Sequence, residues 1–165
     1  MLQGIAHIPP GEGRSLWVLG ELVTCKTTSE QTGGAYSLFE VTTHPGGGVL
    51  PHVQHREDES FYVLEGEYEF LVEGRTIRAS AGSLLYVPKG NLHAHKNDGE
   101  GVGRMLVSQT PGGLYDHFFE EAGGAVEGDA GPLLLEDQPN LERIVAIGVQ
   151  YGIEIPPPTT QRSRA

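Results

Sequence analysis

The residues best equipped for chemistry lie in two short stretches, PHVQHREDE at 51–59 and NLHAHKN at 91–97. On a strand, residues two apart share a face. His52 and Gln54 therefore point one way and His55 the other, while His93 and His95 share a face. Glu59 follows His52 by seven residues, which leaves room for a turn that brings the next strand alongside. If these faces line the inside of one barrel, two imidazoles and a carboxylate converge, with Gln54 and His95 beside them. Such a donor set suits Zn, Cu, Fe, Ni or Mn and leaves positions open for oxygen or substrate. A carboxylate in an apolar barrel tends to a raised pKa, so Glu59 is a candidate both as ligand and as catalytic base. Its neighbours Glu57 and Asp58 read as parts of a solvated acidic run. His7, His44 and His117 read as surface or capping residues, and His55 is a lesser ligand candidate, available only if the strand ends there.

The elements that must position these groups are short strands. SLWVLG, ELVTCKTT and GAYSLFEVTTHP read as strands, the last with Tyr36, Leu38, Glu40 and Thr42 opposing Ala35, Ser37, Phe39 and Val41. SFYVLEG, EYEFLVEG and RTIRAS are three runs separated by Glu65-Gly66 and Glu73-Gly74, which predicts two consecutive hairpins. AGSLLYVPKG, NLHAHKN and GVGRMLVSQT continue the series, for roughly ten strands in all and a sandwich or barrel. LYDHFFEEA carries Leu114, Phe118 and Ala122 one helical turn apart and predicts a short helix. GGAVEGDAG reads as a loop, and QPNLERIVAIGVQYG as a second helix with Pro139 near its start and Gly152 at its end. The expected organisation is one domain over 1–165: a barrel core over about 15–110, a helical extension over about 111–155 and an irregular tail over 156–165.

Composition narrows the function classes. With 22 acidic and 11 basic residues the formal charge is −11, the opposite of a nucleic-acid footprint. Cys25 is the only cysteine, so no disulfide framework exists, and it reads as a small buried apolar residue. No run approaches the roughly 18 apolar residues of a membrane span, and no basic-then-apolar leader opens the chain. A cytoplasmic protein is expected.

The spacing of these groups resembles that of the cupin superfamily in both of its motifs. Gly46, His52, Gln54, Glu59 and Gly66 fall at the positions of the first, and Gly82, Pro88, Gly90, His93 and Asn97 at those of the second. The surrounding texture, with HREDESFYVLEGEYEF inside and TPGGLYDHFFEEAG after, is similar to the small cupins labelled quercetin-dioxygenase-like. The resemblance implies an all-β double-stranded β-helix, a jelly-roll-like barrel with short C-terminal helices. It also implies a homodimer and one divalent metal held by three histidines and a glutamate. The chain departs from the pattern at Gln54, where the family has its second histidine. Three arrangements stay open: His95 replaces that histidine; His52, His93 and Glu59 form a facial triad with Gln54 hydrogen-bonding water or substrate; or no metal binds.

The resemblance and the donor set together point to a metal-dependent, dioxygenase-type enzyme oxidising a small flavonol, enol or phenol, with Phe61, Tyr86 and Met105 as candidate wall residues. The alternatives are a non-redox isomerase or cyclase, and a small-molecule-binding protein with a degenerate metal site.

Overall fold

Alternating apolar and polar side chains give each short segment one dry face and one wet face, and two such dry faces must meet. The computed structural model describes residues 4–126 and 141–157. It contains β1 (Arg14–Val18), β2 (Glu21–Thr27), β3 (Ser37–Thr43), β4 (Gly48–Gln54), β5 (Asp58–Glu65) and β6 (Glu67–Val72). These are followed by β7 (Arg75–Ser80), β8 (Leu84–Val87), β9 (Leu92–Asn97), β10 (Gly103–Thr110), β11 (Gly124–Ala125) and β12 (Ile153–Glu154). One antiparallel sheet has the order β11-β1-β2-β3-β10-β5-β8 and the other β12-β4-β9-β6-β7. Facing each other, they form a double-stranded β-helix. The core between them includes Phe39, Val41, Phe61, Val63, Tyr68, Phe70, Met105 and Val107. Phe61 and Phe70, from opposite sheets, meet at 5.3 Å between ring centroids.

The dry faces follow the alternation read from sequence. In β3, Ser37, Phe39, Val41 and Thr43 are buried, and in β10, Gly103, Met105, Val107 and Gln109. The first expected hairpin does not form. β5 pairs with β10 and β8, while β6 pairs with β7 and β9, so the chain changes sheets at Gly66. That crossing needs glycine: its φ is 85°, and a Cβ would sit 2.9 Å from Gly103 Cα. The second hairpin, β6 to β7 with Val72 opposite Arg75, forms as expected.

Three helices complete the described residues: α1 (Ser29–Thr32), α2 (Leu114–Ala122) and α3 (Leu141–Gln150). α1 is absent from the sequence reading. Its signal is the capping box of Thr28 and Gln31, where Thr28 Oγ1 accepts from Gln31 N–H and Gln31 Oε1 accepts from Thr28 N–H. α2 buries Tyr115, Asp116 and Phe118, with Phe119 edge-on to Phe39 at 4.9 Å, so its dry stripe is centred one residue beyond the expected Leu114. α3 buries Ile144, Ile147 and Gly148, and its expected start at Pro139 lies outside the described residues. The helical extension ends earlier than expected. After Gly152 the chain turns into β12, which pairs Ile153 with Gln54 on the edge of the second sheet. No helix among the described residues is long and apolar enough to cross a membrane.

Candidate metal centre and its cavity

A β-bulge brings the two histidines together. β4 and β9 pair Val49 with His95 and then His52 with His93, so the register shifts by one residue across Leu50 and Pro51. The extra residue switches the parity of β4, and Val49 and His52 both end up lining the interior. His52 and His93 then lie with ring centroids 4.3 Å apart. Each ring is held by the backbone two residues before it: His52 Nδ1 lies 2.9 Å from Leu50 O, and His93 Nδ1 lies 3.0 Å from Asn91 O. Donation to those carbonyls puts the proton on Nδ1 and leaves both Nε2 lone pairs facing the centre, the arrangement common in metal-binding histidines.

Glu59 comes from β5 in the opposite sheet. Its cross-strand neighbour Gln109 donates from Nε2 to Oε1 at 3.2 Å, which orients the carboxylate and turns Oε2 toward the histidines. Oε2 lies 2.6 Å from His93 Nε2 and 3.9 Å from His52 Nε2. The 2.6 Å approach lacks the direction of a hydrogen bond, and both atoms are buried without another partner. Donor atoms of His52, Glu59 and His93 all lie within 4.8 Å of one another, the one such cluster among the described residues. Lone pairs converging from two imidazoles and a carboxylate, with His93 Nε2 and Glu59 Oε2 lacking any hydrogen-bond partner, fit a divalent transition ion.

Electrostatics agree with the geometry. Burial pushes the His52 imidazole down to about 4, with His93 adding to the depression, so His52 is neutral at pH 7. Burial would raise the Glu59 carboxyl, but His93 and His52 outweigh it and hold it below the usual carboxylate range. Burial would likewise depress His93, yet Glu59 raises it overall. The raised pKa expected for Glu59 therefore does not arise, because His93, His52 and the Gln109 amide favour its ionised form over the effect of burial.

The structure separates the remaining candidates. His95 is buried, but its Nε2 lies 2.8 Å from Glu21 Oε1, outside the converging cluster. Glu21 also accepts from Thr43 Oγ1 at 2.6 Å, and Thr43 in turn accepts from the Tyr68 hydroxyl at 3.1 Å. The Gln54 side chain is buried, and its Nε2 donates to Glu57 at 3.1 Å. Glu57 is no solvated carboxylate: it is fully buried, and burial drives it up to about 7 even though it accepts from the Leu114 amide. His55 is exposed and pairs with Glu154 of β12 at 2.7 Å.

The centre opens into an apolar cavity of about 60 Å³. Val23, Val41, Phe61, Val107 and Phe118 line it, with Glu21, His52, Glu59, His95 and Gln109 as the polar groups. Tyr115 covers the centre from α2, its hydroxyl 3.4 Å from His52 Nε2; burial, with Glu59 and Glu57 nearby, keeps that phenol well above its usual pKa and so neutral. Of the expected wall residues, Phe61 lines the cavity, Met105 lies in the core and Tyr86 points outward at 56% exposure. Glu21, Gln109 and Tyr115 escaped the sequence reading. The first two were legible only as polar residues at inward positions of strands, and Tyr115 as a helix residue beside the expected stripe.

Residues 39–108, from β3 into β10, match the family described as Cupin domain. The chain is similar to quercetin 2,3-dioxygenase of Bacillus subtilis (strain 168), 27% identical over 122 residues that cover 74% of this chain and 36% of that protein. It is also similar to germin-like protein subfamily 2 member 2 of Arabidopsis thaliana, 36% identical over 84 residues covering 46% and 38% of the two chains. It thus spans little more than a third of the length of these relatives. Among solved structures it is similar to KdgF from Halomonas sp., with a TM-score of 0.59 at 20% identity over 66% of this chain and 94% of that one, a likeness of fold.

Proposed function

Since this chain belongs to the cupin superfamily, we propose that it is a metal-dependent, dioxygenase-type enzyme acting on a small enol or phenol, including flavonols. The observation that carries this reading is the convergence of His52, Glu59 and His93 on the wall of an apolar cavity. A bound divalent ion, Fe, Ni, Mn, Cu or Zn by donor chemistry, supplies Lewis acidity and, where redox-active, electron transfer. The protein's own groups do the rest. Phe61, Val41 and Val107 exclude water from a planar apolar ligand. Glu59, ionised and steered by Gln109, serves either as a ligand to the ion or as the base that takes a hydroxyl proton, and the neutral Tyr115 hydroxyl is a donor to a substrate oxygen. In this reading His52, Glu59 and His93 hold the ion, Gln54 Oε1 lies on the same inward strand face, and His95 stays with Glu21.

The test is dioxygen uptake by protein loaded separately with each ion, using flavonols, simple phenols and enolisable diketones. Uptake that His93→Ala abolishes supports the proposal. The Tyr115–His52 pair also favours a second reading, acid–base isomerisation or cyclisation without redox change. Turnover that proceeds equally without dioxygen selects that reading and overturns the first. The homodimer is likewise a proposal, supported by Leu84 and Tyr86, 66% and 56% exposed on the edge strand β8. Light scattering at micromolar concentration tests it, and a monomer mass refutes it.

A further inference from the structure

Glu57 bonds at once to the end of β4 and to the start of α2. Its Oε2 accepts from Gln54 Nε2 at 3.1 Å, and its Oε1 accepts from the Leu114 amide at 3.0 Å. Gln54 and Glu57 are 1% and 0% exposed, so neither bond is exchanged for water. An amide can present either end to a neighbour, and here its nitrogen is the end that meets Glu57 Oε2. The NH2 group faces Glu57, and Gln54 Oε1 is left buried without a partner on the strand face it shares with His52. The second bond falls on the first amide of α2, one of the N–H groups that a helix cannot satisfy internally. The next residue is Tyr115, whose hydroxyl lies 3.4 Å from His52 Nε2. Asp116, also buried, accepts from the Ser29 amide and ties the same turn to α1.

We propose that Glu57 is the positioning residue of the centre: one oxygen fixes the Gln54 amide with its carbonyl free for a cation or an O–H donor, and the other seats α2 so that Tyr115 covers His52. This deepens the metal-centre reading and rests on it for what Gln54 Oε1 meets.

The experiment titrates cobalt(II) into wild type, Gln54→Ala, Glu57→Ala and the double variant, following the visible absorption bands. Amide exchange over residues 114–122 is measured in parallel. Gln54→Ala and Glu57→Ala each weaken cobalt binding by about 10-fold with altered bands. The double variant is no weaker than either, because both substitutions cut one connection. Exchange in α2 rises about 5-fold or more in Glu57→Ala but stays at the wild-type rate in Gln54→Ala, where Glu57 still holds the Leu114 amide. If Glu57→Ala does not fold, Glu57→Gln, which keeps the shape and frees the amide, reads the same change in bands. Wild-type cobalt affinity in Glu57→Ala, or additive losses in the double variant, overturns the proposal. Should wild type take up no cobalt, the metal reading falls separately, and α2 exchange in Glu57→Ala alone decides: faster exchange supports the seating role and unchanged exchange refutes it.

Discussion

Replacing Thr43 by valine tests the buried chain of hydrogen bonds behind the cavity. Thr43 is fully buried; its hydroxyl donates to Glu21 at 2.6 Å and accepts from the Tyr68 hydroxyl at 3.1 Å. Valine fills nearly the same volume, so packing changes little and the polar terms decide. The bond to a carboxylate is worth about 1.5–3 kcal/mol, and stranding the buried Tyr68 hydroxyl costs about 1–3 kcal/mol more. The expected destabilisation is about 2.5–6 kcal/mol, which lowers the melting temperature by roughly 10 °C in a protein of this size. Tyr68→Phe alone leaves Thr43 bonded to Glu21 and loses one neutral hydrogen bond, about 1 kcal/mol. The diagnostic case is the double variant. With phenylalanine present no hydroxyl is stranded, so Thr43→Val/Tyr68→Phe is more stable than Thr43→Val by about 1–3 kcal/mol. Urea denaturation of the four proteins measures this. Additive losses, or a Thr43→Val protein within about 0.5 kcal/mol of wild type, refute the reasoning.

Other outcomes follow from particular contacts. Gly48→Ala places a Cβ 2.0 Å from the His95 carbonyl oxygen and forces β4 away from β9, so it costs on the order of 3 kcal/mol in urea denaturation and displaces His52 from His93. The Cys25 thiol is pushed up to about 11, first by burial and then by Asp116 and Glu120. At pH 8 its thiolate fraction is about 100-fold below that of an ordinary cysteine, so iodoacetamide labels it at least that much more slowly in the folded protein than in urea. His55→Ala, which removes an exposed pair with Glu154, changes stability by less than about 1 kcal/mol despite the 2.7 Å contact.

The strands and α2 were legible because their burial has a short period that local sequence displays. The sheet change at Gly66 was not: Glu65-Gly66 is good turn chemistry, and only partners far along the chain, β10 for β5 and β9 for β6, distinguish a crossover from a hairpin. The site was legible in its donors for a related reason. His52, Glu59 and His93 announce themselves by residue type, and alternation puts each on an inward face. Simple alternation conceals that a bulge at Leu50 and Pro51 sets the pairing of His52 with His93. Glu57 was misread because an acidic run usually faces water, and nothing local shows that Gln54 and the start of α2 close over it. Glu21 and Gln109 are ordinary polar residues until the opposite strand brings them to His95 and Glu59.

Metal content decides whether His52, Glu59 and His93 form a metal centre. Untagged protein purified without chelators and analysed by elemental mass spectrometry, beside His93→Ala, is the measurement. Wild type is expected to carry close to one equivalent of a divalent transition metal, and the variant to lose most of it. Equal metal in both proteins, or none in wild type after reconstitution with each candidate ion, contradicts a metal centre there.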